Sequence, residues 1–178
     1  IHISRAARQA VYPAKFQLVA AMNPCPCGYY NDPHHPCTCR PGQVQRYMSR
    51  ISGPLLDRID LQVEVVPVSV RELSSAPAGE SSAAIRARVV AARRRQAARF
   101  ADCPGVHCNA QMAARHIKAF VHLEESARTA LEQALDRLGL SARAYERVLK
   151  VSLTLADLDG VDQITRAHIA EAISYRNL

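Results

Sequence analysis

Residues 16–22 read FQLVAAM and run straight into Asn23-Pro24. A short apolar run stopped by a proline is the pattern of a strand buried on both faces. An Asn at the end of such a strand stands at the carboxyl edge of its sheet, where open α/β sheets hold their ligands. A second strand is expected further on. Residues 52–66, SGPLLDRIDLQVEVV, place Pro54 at an early helical position, followed by Leu55, Leu56, Asp57 and Arg58. Leu61, Val63 and Val65 then alternate with Gln62, Glu64 and Val66. Arg58 thus stands at an element junction, from which a side chain can reach a neighbour. The plainer reading is a surface ion pair with Asp57 or Asp60, worth little.

Between the strands lies a loop rich in Cys and Pro. It holds Cys25-Pro-Cys27, then His34 and His35, then Cys37-Thr-Cys39. Four thiols in so short a stretch can close a tetrahedral zinc site. The one-residue gap within each pair is narrower than the usual two, which makes it harder for both sulfurs to reach one ion. The alternative is a loop pinned by prolines, with free thiols. Cys103 and Cys108 flank a Pro-Gly turn and read as free cysteines. With no secretory segment at its start, the chain is not expected to carry a disulfide framework.

Residues 1–12, IHISRAARQAVY, read as a β-hairpin with Arg5 and Arg8 near the tip. They form either a solvated turn or a basic finger that touches DNA phosphates. Residues 74–82, SSAPAGESS, are a linker by composition. They set a first domain at 1–73 and a second at 83–178. The second reads as helical throughout. Residues 83–100 carry an apolar stripe of Ile85, Val89, Ala92 and Phe100, and six arginines with no acid among them. Those arginines form a solvated face at least, and suit nucleic acid or an acidic subunit surface. Asn109 is expected to cap a helix over 110–120. A helix over 124–138, burying Ala127, Ala130, Leu131, Ala134, Leu135 and Leu138, stops at Gly139. Ser141 caps the next, which buries Tyr145, Val148, Leu149, Ser152 and Leu155 and ends near Gly160. Thr165 caps the last, with Ile169, Ala172 and Ile173 inward. Arg143 and Arg147 share a face four residues apart. Arg143 lies in the first turn, beside free N–H groups that suit an anion such as phosphate. The plain alternative pairs it with Glu146 or Asp159.

Over 178 residues the chain is 48% hydrophobic, enough for a real core, with no Trp and a net charge of +7. A basic balance favours a polyanion partner. No apolar run approaches membrane-spanning length, so no membrane contact is expected and the setting is read as cytoplasmic. The chain opens on Ile1 rather than Met, and is expected to be a piece of a longer protein.

These motifs join up. NPCPCGYY, SGPLLDRIDLQVEV, GLSARAYERVLKVSLTLADLDG and ITRAHIAEAISYR together resemble the magnesium-chelatase-like AAA+ ATPases of the YifB/ComM type, over nearly the whole chain. The resemblance implies an α+β, mostly α fold. A partial AAA+ α/β core, with the hairpin and two sheet strands, is followed by an α-helical lid bundle. It implies ATP and magnesium as cofactors, a ring of neighbouring copies and DNA as a partner. It places Asn23 at sensor 1, Arg58 at the arginine finger and Arg143 at sensor 2. The chain has no G-x-x-x-x-G-K-[ST] loop and no apolar run ending in paired acids. Alone it should neither bind ATP well nor hydrolyse it. The implied activity is ATP hydrolysis driving DNA remodelling or branch migration. The alternatives are a motor subunit for magnesium insertion, or a zinc-stabilised interaction module.

Overall fold

The chain begins as expected, with two short strands that hydrogen-bond to each other. β1 (His2–Arg5) and β2 (Arg8–Val11) pair antiparallel, with His2 opposite Val11 and Arg5 opposite Arg8. Tyr12 N–H donates to the Ile1 carbonyl at 2.9 Å and closes the open end. The computed structural model describes residues 1–5, 8–14, 16–68, 74, 79–139 and 141–176. By its internal contacts the chain divides into two compact units, Ile1–Arg50 and Ile51–Leu178.

In the first unit the hairpin is followed by an extended segment over 16–22, and here the sequence reading fails. No strand forms, and the side chains face solvent, with Val19 84% exposed. A strand is held by ladder hydrogen bonds, and the described residues offer this one no partner. The cysteine loop comes next. Gly42, in the left-handed region at φ 76°, then turns the chain into α1 (Gln43–Met48).

The second unit opens with α2 (Gly53–Leu56), with Pro54 in its first turn. The expected strand over 61–66 is also absent, and Val65 is 86% exposed. The reason is the same: its neighbours for a ladder are not among the described residues. Residues 75–78 of the expected linker lie outside those described. The linker's last residue is helical: Ser81 caps α3 (Ser82–Arg99), its Oγ accepting from Ala84 N–H at 3.2 Å.

The bundle is built around one long helix. α4 (Ala114–Phe120) and α5 (Glu125–Leu138) lead to Gly139, whose φ of 58° ends α5. Ser141 then caps α6 (Ala142–Asp159), its Oγ accepting from Ala144 N–H at 3.2 Å. α7 (Arg166–Ser174) follows Thr165. α6 is central, packed against α3, α4 and α7, while α5 packs on α7. It buries Val148, Leu149, Ser152, Leu153 and Ala156. Phe100, Leu131, Ile164 and Ile169 fill in around it. At roughly 1.5–3 kcal/mol per buried aliphatic or aromatic side chain, this seam is the main source of the unit's stability.

Some inward assignments move. Tyr145 and Leu138 are exposed, and Leu155 is only partly buried. In α3, Ala92 and Phe100 are buried but Ile85 and Val89 are exposed. Asn109 does not cap a helix over 110–120. It opens a short 3-10 turn (Asn109–Gln111) and is fully buried, while α4 starts at Ala114. Its side chain is taken by other partners: Nδ2 donates to Thr154 Oγ1 at 3.0 Å and to Asp157 Oδ2 at 2.8 Å. The architecture is α+β and mostly α: seven α-helices and one two-stranded sheet among the described residues. None of these helices is long and apolar enough to cross a membrane.

Candidate functional site

The four loop cysteines come together. Cys25 Sγ lies 3.3 Å from Cys27 Sγ and 3.8 Å from Cys37 Sγ, and Cys27 Sγ lies 3.5 Å from Cys37 Sγ. With Cys39 included, all four sulfurs fall within 4.8 Å of one another, and none forms a disulfide. A tetrahedral ion with zinc–sulfur bonds of about 2.3 Å sets its sulfurs about 3.8 Å apart, so the spacing fits zinc. The narrow gap within each pair is no obstacle. Gly28 N–H donates to the Cys25 carbonyl at 3.0 Å, and Gly28 sits at φ 87°. This tight turn swings Cys27 back beside Cys25.

The loop is pinned at its far side by Asp32. One carboxylate oxygen accepts from His34 N–H at 2.7 Å and His35 N–H at 2.9 Å. Those bonds, the His34 N–H first, hold the Asp32 carboxyl below its usual range. The sequence carries this signal as Asn-Asp-Pro before two further residues, an Asx turn that went unread. Its opening is set by Asn31, at φ 64°.

The thiols are unequal. The Tyr29 backbone N–H above all brings the Cys27 thiol down to about 5. Burial pushes Cys39 up to about 12, with the Cys27 and Cys25 sulfurs adding to it. One thiolate therefore opposes ionisation of its neighbours, and a bound cation is what lets all four ionise together.

Asn23 belongs to the same unit. It is exposed, and its Nδ2 lies 4.0 Å from where a Cβ on Gly28 would stand. The structure thus sets it against the start of the cysteine loop. Arg5 and Arg8 are exposed and face each other at the closing end of the hairpin.

Arg58 and Arg143 are exposed in the second unit. Arg58 does not take the neighbouring acids. Its Nη1 donates to the Pro54 carbonyl at 2.8 Å, while Asp57 pairs with Arg176 and Asp60 with Arg147. Arg143 stands in the first turn of α6, one turn before Arg147. The arginines of α3 are not all solvated. Arg88 grips Glu80 with two bonds of 2.6 and 3.0 Å. Arg95 and Arg99 both turn to Asp157. That acid lies some sixty residues away in sequence, so the helix alone does not reveal it.

The sequence profile described as Magnesium chelatase, subunit ChlI C-terminal, matches residues 79–176, and that of Magnesium chelatase, subunit ChlI, matches residues 1–73. The chain belongs to the magnesium chelatase ChlI family. Among members of known sequence it is 47% identical to the protein YifB of Escherichia coli K12 and 44% identical to the competence protein ComM of Haemophilus influenzae. A Mycobacterium tuberculosis protein, Rv2897c, is 39% identical. Each alignment covers 99% of this chain. The chain spans about a third of the length of these curated relatives, 34%, 33% and 34% of them.

Proposed function

We propose that this chain supplies part of the ATP-hydrolysing machinery of a ring-forming ChlI-family motor that acts on DNA. The observation that carries the reading is that Arg58, though it donates to the Pro54 carbonyl, is paired with neither neighbouring acid. Both acids beside it are engaged by other arginines, and its guanidinium remains exposed. An arginine in that state is available to neutralise the charge that develops on a phosphoryl group, and such a residue can act across a subunit boundary. Arg143, beside the free N–H groups at the start of α6, would meet phosphate in its own subunit. Asn23 would orient the attacking water. ATP is the group that supplies the transferable phosphoryl. The chain itself offers no G-x-x-x-x-G-K-[ST] loop and no apolar run ending in paired acids, so the magnesium ligands and most of the nucleotide contacts would come from the rest of the whole protein.

The exposed hairpin arginines Arg5 and Arg8 are assigned to the DNA backbone. The relative named for competence accords with that substrate. The four-cysteine cluster is assigned structural zinc, because its sulfur spacing matches a closed tetrahedral site. The test is ATP turnover by the whole protein, with and without DNA. Arg58→Ala is expected to abolish turnover while leaving ATP binding and assembly intact. If ATP binding is lost while the ring still assembles, the role of Arg58 has been misassigned.

A further inference from the structure

Arg58 lies in a hexapeptide whose two acids are both held by the helical bundle. Asp60 pairs with Nη1 of Arg147 on α6, across 87 residues of sequence. Asp57 lies 3.6 Å from Nη2 of Arg176, just beyond α7. Arg176 also donates from Nη1 to the Ile59 carbonyl at 3.2 Å. Next to it, Gln62 N–H donates to the Tyr175 carbonyl at 2.8 Å. The side chain of Arg176 is only 6% exposed, and a charge so far from water keeps its partners because losing one leaves it uncompensated. The segment is therefore held on both sides of Arg58, by its side chains at 57 and 60 and by its backbone at 59 and 62. The Arg58 side chain is left outside the grip, exposed to solvent.

We propose that Arg147 and Arg176 are positioning residues for Arg58. By holding Asp57, Ile59 and Asp60 they fix the short segment that aims its guanidinium. They touch no substrate themselves. The inference rests on the proposed role of Arg58 in turnover. Its physical basis is that phosphoryl transfer depends on placement, so that a shift of about 1 Å can cost up to about a hundredfold in rate.

The pair to test is Arg147 with Asp60, whose side chains are 27% and 52% exposed. Removing a pair so open to water costs little stability, so the variants keep their fold. Steady-state ATP hydrolysis is measured on the whole protein. Arg147→Ala, Asp60→Ala and Asp57→Asn are each expected to lower kcat about tenfold with KM changed less than about twofold. The exchanged pair, Asp60→Arg with Arg147→Asp, is expected to recover most of the rate, which a merely local loss of charge would not allow. Single variants at full kcat, alongside an inactive Arg58→Ala, would overturn the positioning role alone. An exchanged pair as slow as the singles would overturn it too. An Arg58→Ala protein that still turns over ATP would overturn the underlying reading along with it.

Discussion

The contrast between Cys27 and Cys39 decides how the loop would meet a metal. Cys27 is held near 5 by the Tyr29 N–H, so it is a thiolate at neutral pH. Cys39 sits near 12 because burial and the neighbouring sulfurs oppose its charge. Zinc needs thiolates, so binding must expel protons from the raised groups. A site that releases protons binds more tightly as pH rises, by about tenfold per pH unit for each proton released. The protein as purified is expected to hold one zinc per chain. Its apparent zinc affinity should climb across about pH 6 to 8, since Cys27 is already ionised there and Cys39 is not. Competition with a chromophoric chelator at several pH values measures this. Cys25→Ser removes a fully buried ligand and should abolish stoichiometric zinc. An affinity flat with pH, or full zinc in that variant, would refute the site.

Among elements, α6 carries both the apolar seam and the one fully buried acid among the described residues, Asp157. Asp157 accepts from Gln96 Nε2 at 3.2 Å, Arg99 Nη1 at 2.8 Å and Asn109 Nδ2 at 2.8 Å. Leu153, on the same helix, is 1% exposed. Leu153→Ala should destabilise by about 2–5 kcal/mol through the lost burial and the cavity left behind. Asp157→Ala should cost a comparable amount, about 3–5 kcal/mol, because it strands the guanidinium of Arg99, whose side chain is only 13% exposed. Chemical denaturation reads both, and a loss below about 1 kcal/mol in either would contradict this picture of the helix. Such elements were legible to different degrees. Helices with a serine cap and a glycine stop, such as α6, read cleanly, because both signals are local. Asn109 misled because its cap chemistry was spent on Asp157, a partner no window of sequence contains. The two apolar strand patterns misled because a strand exists only with its ladder partners.

Over the whole chain, the charge is less even than composition suggests. Residues 1–50 hold Arg5, Arg8, Lys15, Arg40, Arg46 and Arg50 against Asp32 alone, a formal charge of +5 out of +7. Asp32 is itself occupied by two backbone N–H groups. In the arginine-rich helix α3, Arg88, Arg95 and Arg99 are spent on carboxylates within their own unit. The four-cysteine cluster was legible because its residues are close in sequence. The grip on LLDRID was not, since its partners lie 87 and 117 residues away. The free positive charge therefore points to the first unit as the proposed DNA contact. Each phosphate neutralised on a single strand adds about 0.7 to the slope of log affinity against log salt. Replacing Arg5 and Arg8 together with Ala in the whole protein should flatten that slope by about 1.4 and weaken binding across sequences alike. Replacing Arg88, already held by Glu80, should leave the slope nearly unchanged. Titration of fluorescent single-stranded DNA at several salt concentrations makes the comparison. A slope that falls with Arg88→Ala but not with the hairpin pair would move the DNA contact to the helical unit.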